Sequence, residues 1–307
     1  MALFDIDSIV HELHDARRHW RQAHRREGEM RGIEFPSRDA MAALIGQLKG
    51  VLFPMRLGPP DLRQESEDYH VAHALDSALH SLLRQACLEL TYNAALHRLT
   101  GVDAAAEALE ATRTFGAALP GIRSLLDSDV LASYQGDPAA RSVDEVLLCY
   151  PGVLAMIHYR LAHCLYQLKL PMLARIVGEL AHAATGIDIH PGAQIGAGFF
   201  IDHGTGVVIG ETAVIGQRVR LYQAVTLGAK RFPTDADGNP QKGLPRHPVL
   251  EDEVVIYAGA TLLGRITVGK GAVIGGNVWL THDVAPGARI SQAASREEVV
   301  SAQGRAA

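Results

Sequence analysis

The 307-residue sequence predicts a chain of the α plus β-solenoid class, with an all-helical first half and a parallel β-solenoid after it. Three observations predict it. Apolar residues recur at three- and four-residue steps up to about residue 184. They recur every six residues after residue 186. A single segment rich in Pro, Gly and Asp then interrupts the six-residue step.

In the first half, YHVAHALDSALHSLLRQACLELTYNAALHRL places Val71, Leu75, Leu79, Leu82, Leu83, Ala86 and Leu90 on one helical stripe. VDEVLLCYPGVLAMIHYRLAHCLYQL continues as helix, with a break at Pro151-Gly152. PMLARIVGELAHAATG is a further helix, which Gly186 stops. HELHDARRHWRQAHRREGEMRG is rich in Arg and His, but Glu12, Asp15, Glu27 and Glu29 are mixed in. The mixed signs predict a solvated amphipathic helix rather than a nucleic-acid arm.

In the second half, Ile189, Ile195, Ile201 and Val207 stand six apart, and Ile209, Ile215, Leu221 and Leu227 follow after a two-residue phase shift. Leu250, Ile256, Leu262, Val268, Ile274 and Leu280 then keep the step without a fault. A fixed short period means a solenoid, in which each repeat packs on its neighbours. Hexads with Gly after the aliphatic residue, such as Ile195-Gly196, Ile215-Gly216 and Ile274-Gly275, resemble those of the left-handed parallel β-helix. The expected division is a helical domain over 1–186, a left-handed β-helix over 187–287 and a tail over 288–307.

The segment that breaks the period is a loop over 229–249, GAKRFPTDADGNPQKGLPRHPV in its neighbourhood. It reads either as a harmless surface excursion or as a functional loop. Within LPRHP, Arg246 and His247 sit between two prolines, and a cation beside an imidazole on a restrained backbone suits capture of a carboxylate. In FFIDHGTG, Asp202 and His203 stand side by side in a repeat otherwise built for packing. Asp188 precedes His203 by fifteen residues, close to one coil, so the two are expected near one corner of adjacent coils. An imidazole held by a carboxylate is an arrangement for a general base, whereas the bland alternative is a His capping a corner.

Composition bounds the function. A net charge of −5 does not favour nucleic acid, and no apolar run reaches membrane-spanning length. The N-terminus lacks a signal-peptide layout, so a cytoplasmic protein is expected. Cys87, Cys149 and Cys164 are too sparse for a disulfide framework or a zinc finger.

DIHPGAQIGAGFFIDHGTGVVIGETAVIG, followed by VTLGAK and RHP, resembles the serine acetyltransferase family. GDPAARSVDEVLLCYPG resembles that family's segment beginning with an Asp-Pro pair, 51 residues before the DIHP aspartate, as Asp137 stands before Asp188. The resemblance covers about 137–286. It implies transfer of the acetyl group of acetyl-CoA to the hydroxyl of L-serine, the first step of cysteine synthesis, by direct attack and without a covalent enzyme intermediate. It implies His203 as general base oriented by Asp188, with Asp137 and Asp202 holding the substrate ammonium. Arg246 would pair with the substrate carboxylate, with His247 beside it. Gly228 and Ala229 would lie near the thioester, and Ala258 and Gly276 along the acetyl-CoA groove, where small residues permit close approach.

The resemblance also implies a homotrimer with its site at the subunit cleft, a hexamer as a pair of trimers, and L-cysteine as feedback inhibitor. The loop resembles that of the longer bacterial branch. The chain ends SAQGRAA with no terminal isoleucine, so a tail-mediated complex with O-acetylserine sulfhydrylase is not expected. Other readings are an acyltransferase for another acceptor such as a sugar, one using another donor such as succinyl-CoA, and a β-helical carbonic anhydrase. The last would need a zinc site from among His190, His203, His247 and His282. The substrate-binding acids count against it, and no metal is expected.

Overall fold

In the computed structural model, residues 3–24, 34–231, 233–235 and 238–292 are described. The sequence-stretch features at 25–33, part of the loop and the terminal SAQGRAA lie outside them. Eight α-helices come first: α1 (Ile6–Ala23), α2 (Arg38–Leu52), α3 (Pro54–Leu57), α4 (Glu67–Leu96), α5 (Ala104–Gly136), α6 (Val143–Cys149), α7 (Pro151–Gln167) and α8 (Pro171–Thr185). The break expected at Pro151-Gly152 is the junction of α6 and α7, where Pro151 opens the new helix because its missing N–H costs nothing there. Gly186 ends α8 in the left-handed region at φ 68°, its N–H bonded to His182 O at 2.9 Å. Leu44, Leu82, Phe115, Leu126, Met156 and Leu161 are buried where these helices pack together.

Short strands then wind a left-handed parallel β-helix: β1 (Asp188–Ile189), β2 (Gln194–Ile195), β3 (Phe200–Ile201), β4 (Val208–Ile209), β5 (Val214–Ile215), β6 (Arg220–Leu221) and β7 (Thr226–Gly228). After the loop come β8 (Val249–Leu250), β9 (Val255–Ile256), β10 (Thr261–Leu263), β11 (Thr267–Val268), β12 (Val273–Ile274), β13 (Trp279–Leu280) and β14 (Arg289–Ile290). They form three parallel sheets, the flat sides of a triangular prism. Sheet A is β1-β4-β7-β10-β13, sheet B is β2-β5-β8-β11 and sheet C is β3-β6-β9-β12-β14. Each hexad aliphatic points inward and stacks on its counterpart one coil away, as Leu227 on Leu262 and Ile256 on Ile274.

The register explains the phase shift. Ile201 pairs with Leu221, but Ile189 pairs with Ile209, so the first coil is two residues longer than the Leu262–Leu280 coil. The surplus lies in the corner 202–207, between β3 and β4. The solenoid also runs past the expected start of the tail at 288. Ile290 of β14 pairs with Ile274 of β12, because the last coil is shorter than three hexads.

The helices grip the first coil. Tyr159 Oη donates to Ala193 O at 2.6 Å, and Arg160 donates to Ile195 O at 2.5 Å and Gly196 O at 2.6 Å. Asp129 of α5 pairs with Arg160 at 3.1 Å and accepts the Phe199 N–H at 2.9 Å. These bonds use the polar groups that β2 and its flanks would otherwise leave unpaired at the sheet edge.

Candidate functional site

The prism has three edges, and the sequence-predicted residues fall on two of them. Asp202 and His203 occupy the edge leading from sheet C into sheet A, inside the lengthened corner. His203 holds φ 59°, a left-handed conformation rare outside Gly, Asn, Asp and His, and Gly204 and Gly206 follow at φ 86° and 78°. Gly204 is needed there: a Cβ would stand 2.4 Å from Ile187 Cδ1. The corner turns the His203 side chain outward, leaving it 70% exposed.

Asp202 beside it is nearly buried, its side chain 11% exposed, with Oδ1 3.8 Å from His203 Nε2 and Oδ2 3.4 Å from Arg220 Nη2. Arg220 in turn lies over the rings of Phe200 and Tyr222, and Tyr222 stacks on Tyr257 at 4.9 Å. From the helical half, Asp137 reaches this edge at the C-terminus of α5. It accepts the Tyr150 Oη–H at 2.5 Å and the Ala139 N–H at 2.8 Å. The Tyr150 hydrogen bond holds the Asp137 carboxyl below its usual range, helped by the Ala139 N–H and by the charges of Arg220 and His203. The same bond pushes Tyr150 up to about 12. Asp137, Asp202, His203 and Arg220 thus form one charged cluster.

Asp188 opens β1 at the same edge, but no hydrogen bond or ion pair joins it to His203 among the described residues. The fifteen-residue spacing places the two on one edge, yet the surplus corner carries the imidazole outward to Asp202. The Asp188 carboxylate instead lies within 4.8 Å of ligand atoms of Glu179 and His182, which is the one such group of three among the described residues. Within one chain, His190, His203, His247 and His282 form no such group.

Ala258 and Gly276 fall on the His203 edge, one and two coils beyond Gln223, which is stacked one coil above the His203 corner. Gly259 N–H bonds to Gln223 O at 3.0 Å and Asn277 N–H to Ala258 O at 2.8 Å. A Cβ on Gly276 would lie 3.2 Å from Ala258 O, so a small residue keeps this column flush.

Gly228, Ala229, Arg246 and His247 are on the other edge, from sheet A into sheet B. Thr212 organises it: its Oγ1 accepts the N–H groups of Arg246 at 2.9 Å and His247 at 3.2 Å, and its own N–H donates to His247 Nδ1 at 3.1 Å. The His247 ring is buried, and desolvation first, then the Arg246 charge, lower it to about 4. It is neutral at pH 7, with its proton on Nε2. The Arg246 guanidinium pairs with Glu211 at 2.6 Å. Burial opposes the charge of Glu211, but the Arg246 hydrogen bond, the charges of His190 and Arg246 and the Tyr166 hydroxyl together outweigh it, and the carboxyl is lowered. A groove of about 240 Å³ beside this edge is lined by Tyr166, Gly192, Glu211, Thr212, Pro245 and Arg265. A further groove of about 710 Å³ lies along sheet B, and His203 is in neither.

Sequence reasoning missed Arg220, Tyr150, Glu211 and Thr212. Arg220 carried a signal, a charged residue at an outward hexad position beside an acid one coil away. Tyr150 carried none, because its reach to Asp137 depends on the α5–α6 turn.

No family model matches the chain. It is 56% identical over 269 residues to the plasmid serine acetyltransferase of Synechococcus elongatus, covering 86% of this chain and 83% of that one. It is 49% identical over 160 residues to the serine acetyltransferase of Bacillus licheniformis, covering 52% of this chain and 70% of that one. Among solved structures it is similar to serine acetyltransferase 1 of Entamoeba histolytica in complex with L-cysteine, with 37% identity, a TM-score of 0.71, and coverage of 81% of this chain and 86% of that one. Soybean serine acetyltransferase complexed with serine gives 31% identity, a TM-score of 0.52, and coverage of 81% of this chain and 95% of that one.

Proposed function

The chain belongs to the serine acetyltransferase family, and from that premise we propose that it acetylates L-serine from acetyl-CoA with His203 as general base. The observation that carries this reading is the cluster of Asp137, Asp202 and Arg220 around an exposed imidazole at one edge of the prism. Two carboxylates offer an ammonium group charge-assisted hydrogen bonds, which an amino acid supplies and a sugar does not.

His203 takes the serine hydroxyl proton as the oxygen bonds to the thioester carbonyl carbon. The C–S bond breaks, and the imidazolium returns the proton to the departing thiolate, so atoms and charge balance. A positioned base contributes typically about 10²–10⁴-fold. Asp202 steadies the imidazolium, and Asp188 joins it as orienting carboxylate when the imidazole turns inward over the substrate. The flush column of Ala258 and Gly276 supports a pantetheine arm lying along the edge from His203, and Gly228-Ala229 supports one passing the opposite edge.

One chain brings Asp137, Asp202 and His203 to one edge and Arg246, His247 and Gly228 to another. A threefold assembly that sets the first edge of one copy against the second edge of the next would unite them in a cleft. That supports a homotrimer with the site between subunits, in which the substrate carboxylate competes with Glu211 for Arg246. L-Cysteine has the ammonium and carboxylate of serine, and we read it as a competitive inhibitor at this place. Among the described residues, no helix is long and apolar enough to cross a membrane.

The test follows CoA thiol release from acetyl-CoA with L-serine. The His203→Ala rate should fall by about 10²-fold or more with the fold intact. A variant that keeps the wild-type rate refutes the base, and a wild type that releases no CoA with serine refutes the acceptor or donor.

A further inference from the structure

Arg220 stands where a site for an ammonium group alone has no use for it. Asp137 and Asp202 offer two carboxylates, and a guanidinium beside them weakens their pull on any other cation. Yet Arg220 is firmly built in. It takes an outward position in β6, and its guanidinium carbon lies 4.8 Å from the centroid of the Phe200 ring and 4.9 Å from that of Tyr222. A Cβ on Gly136 would stand 2.8 Å from Phe200 Cδ1 and 3.6 Å from Arg220 Nη1, so the glycine before Asp137 leaves room for both side chains.

Aromatic stacking occupies the faces of a guanidinium and leaves its edge for anions. All its N–H donors lie along that edge. Nη2 gives one to Asp202 at 3.4 Å, which is the one hydrogen bond of the Arg220 side chain among the described residues. Nε is buried and has no partner. The side chain is 25% exposed, within reach of a ligand at the cluster. A planar donor edge is thus fixed beside two carboxylates, with most of its hydrogen-bonding capacity unused.

An acceptor that carries both charges uses all three groups. The ammonium nitrogen and the carboxylate of an α-amino acid share one carbon, so nitrogen and oxygen stand about 3 Å apart. An ammonium held by Asp137 and Asp202 therefore sets its carboxylate beside Arg220. Arg246 comes only from the other edge of the prism, and there it is paired with Glu211. We propose that Arg220 binds the carboxylate of the acceptor from within the chain, alongside the Arg246 that a neighbouring copy brings, and selects α-amino acids over amino alcohols and amides. An acceptor without the carboxylate meets the same guanidinium as an uncompensated like charge, which rejects it. The inference rests on the reaction proposed above and names what makes its acceptor site selective.

The test compares L-serine with L-serinamide in CoA release from acetyl-CoA by the full-length chain. Serinamide keeps the ammonium and the hydroxyl and loses the carboxylate charge. The quantity read is the ratio of kcat/KM for serine to kcat/KM for serinamide. Arg220→Met keeps an apolar stem between Phe200 and Tyr222 and should lower that ratio at least about tenfold, the weight of a charge-assisted hydrogen bond. A residue that only steadied Asp202 would slow both acceptors alike, because both use the ammonium site, and would leave the ratio unchanged. Arg218→Met, on the same coil, removes an equal charge that is paired with Glu253 at 2.6 Å, and should leave the ratio as it is. A ratio in Arg220→Met within about twofold of wild type, or an equal fall in Arg218→Met, would overturn the role of Arg220. Should Arg220→Met lose activity with both acceptors, Arg220→Lys decides, since it keeps the charge without the planar fork. A lowered ratio there supports the proposal, and an unchanged one overturns it. A wild type that releases CoA with neither acceptor overturns the reaction itself, and this inference falls with it.

Discussion

Mild acid should weaken this protein through His247. The ring is buried, 6% exposed, and its Nδ1 accepts the Thr212 N–H, a bond that requires the neutral ring. Desolvation, with Arg246 and Arg265 close by, lowers it to about 4 from an ordinary 6.5. The unfolded chain therefore takes up this proton first as pH falls. Between those values the unfolded state holds more protons than the folded one, so stability rises with pH across the window and is lost on acidification. At about 1.4 kcal/mol per pH unit of difference, the loss is on the order of 3 kcal/mol by pH 4. His158, His163 and His190 are lowered too, each by desolvation first, and they add loss of the same sign. Urea unfolding at fixed protein concentration, from about pH 8 to about pH 4.5, reads the total. His247→Asn isolates one ring. It should be less stable than wild type at the alkaline end, and the gap should close by about 2 kcal/mol or more toward the acid end. Parallel curves would show that His247 takes up its proton at the same pH in the folded and unfolded chain, and would refute the reasoning.

The other predictions use the same structure. Arg160→Met leaves Asp129, 1% exposed, buried without its cation, and should cost about 3–5 kcal/mol in urea unfolding. Adding Asp129→Leu should recover part of that. Gly152→Ala puts a Cβ 2.3 Å from the carbonyl oxygen of Ile201, a backbone atom that cannot move aside. A loss of at least about 2 kcal/mol, or insolubility, is expected. Tyr150→Phe removes the hydroxyl that lowers Asp137. The KM for serine should rise roughly threefold to tenfold with kcat little changed. An unchanged KM would separate Asp137 from serine binding.

The solenoid was legible because a repeat carries its own register. Leu250 to Leu280 repeat without a fault, and each of these side chains points inward. Pro151 and Gly186 marked helix ends because each acts through local backbone chemistry. The phase shift after Val207 was visible as an interruption, and it is the corner that displays His203. What stayed hidden depends on long-range packing. Spacing put Asp188 and His203 near one edge but could not show that the surplus corner swings the imidazole to Asp202. RHP read as a free anion trap, whereas Glu211 and Thr212 already engage both side chains. β14 was lost in the expected tail because the last coil leaves the six-residue step.

The bonds from Tyr159, Arg160 and Asp129 to the first coil give the solenoid a fixed origin. A repeat array is a one-dimensional chain of nearest-neighbour contacts, and such a chain can begin anywhere and slip by a whole coil. Here one end is clamped by partners that only the first coil offers: the carbonyls of Ala193, Ile195 and Gly196 and the N–H of Phe199. The clamp turns a periodic lattice into a ruler with a zero mark. Every later coil inherits its height from that mark, and so do the levels of His203, Ala258 and Gly276 along their shared edge.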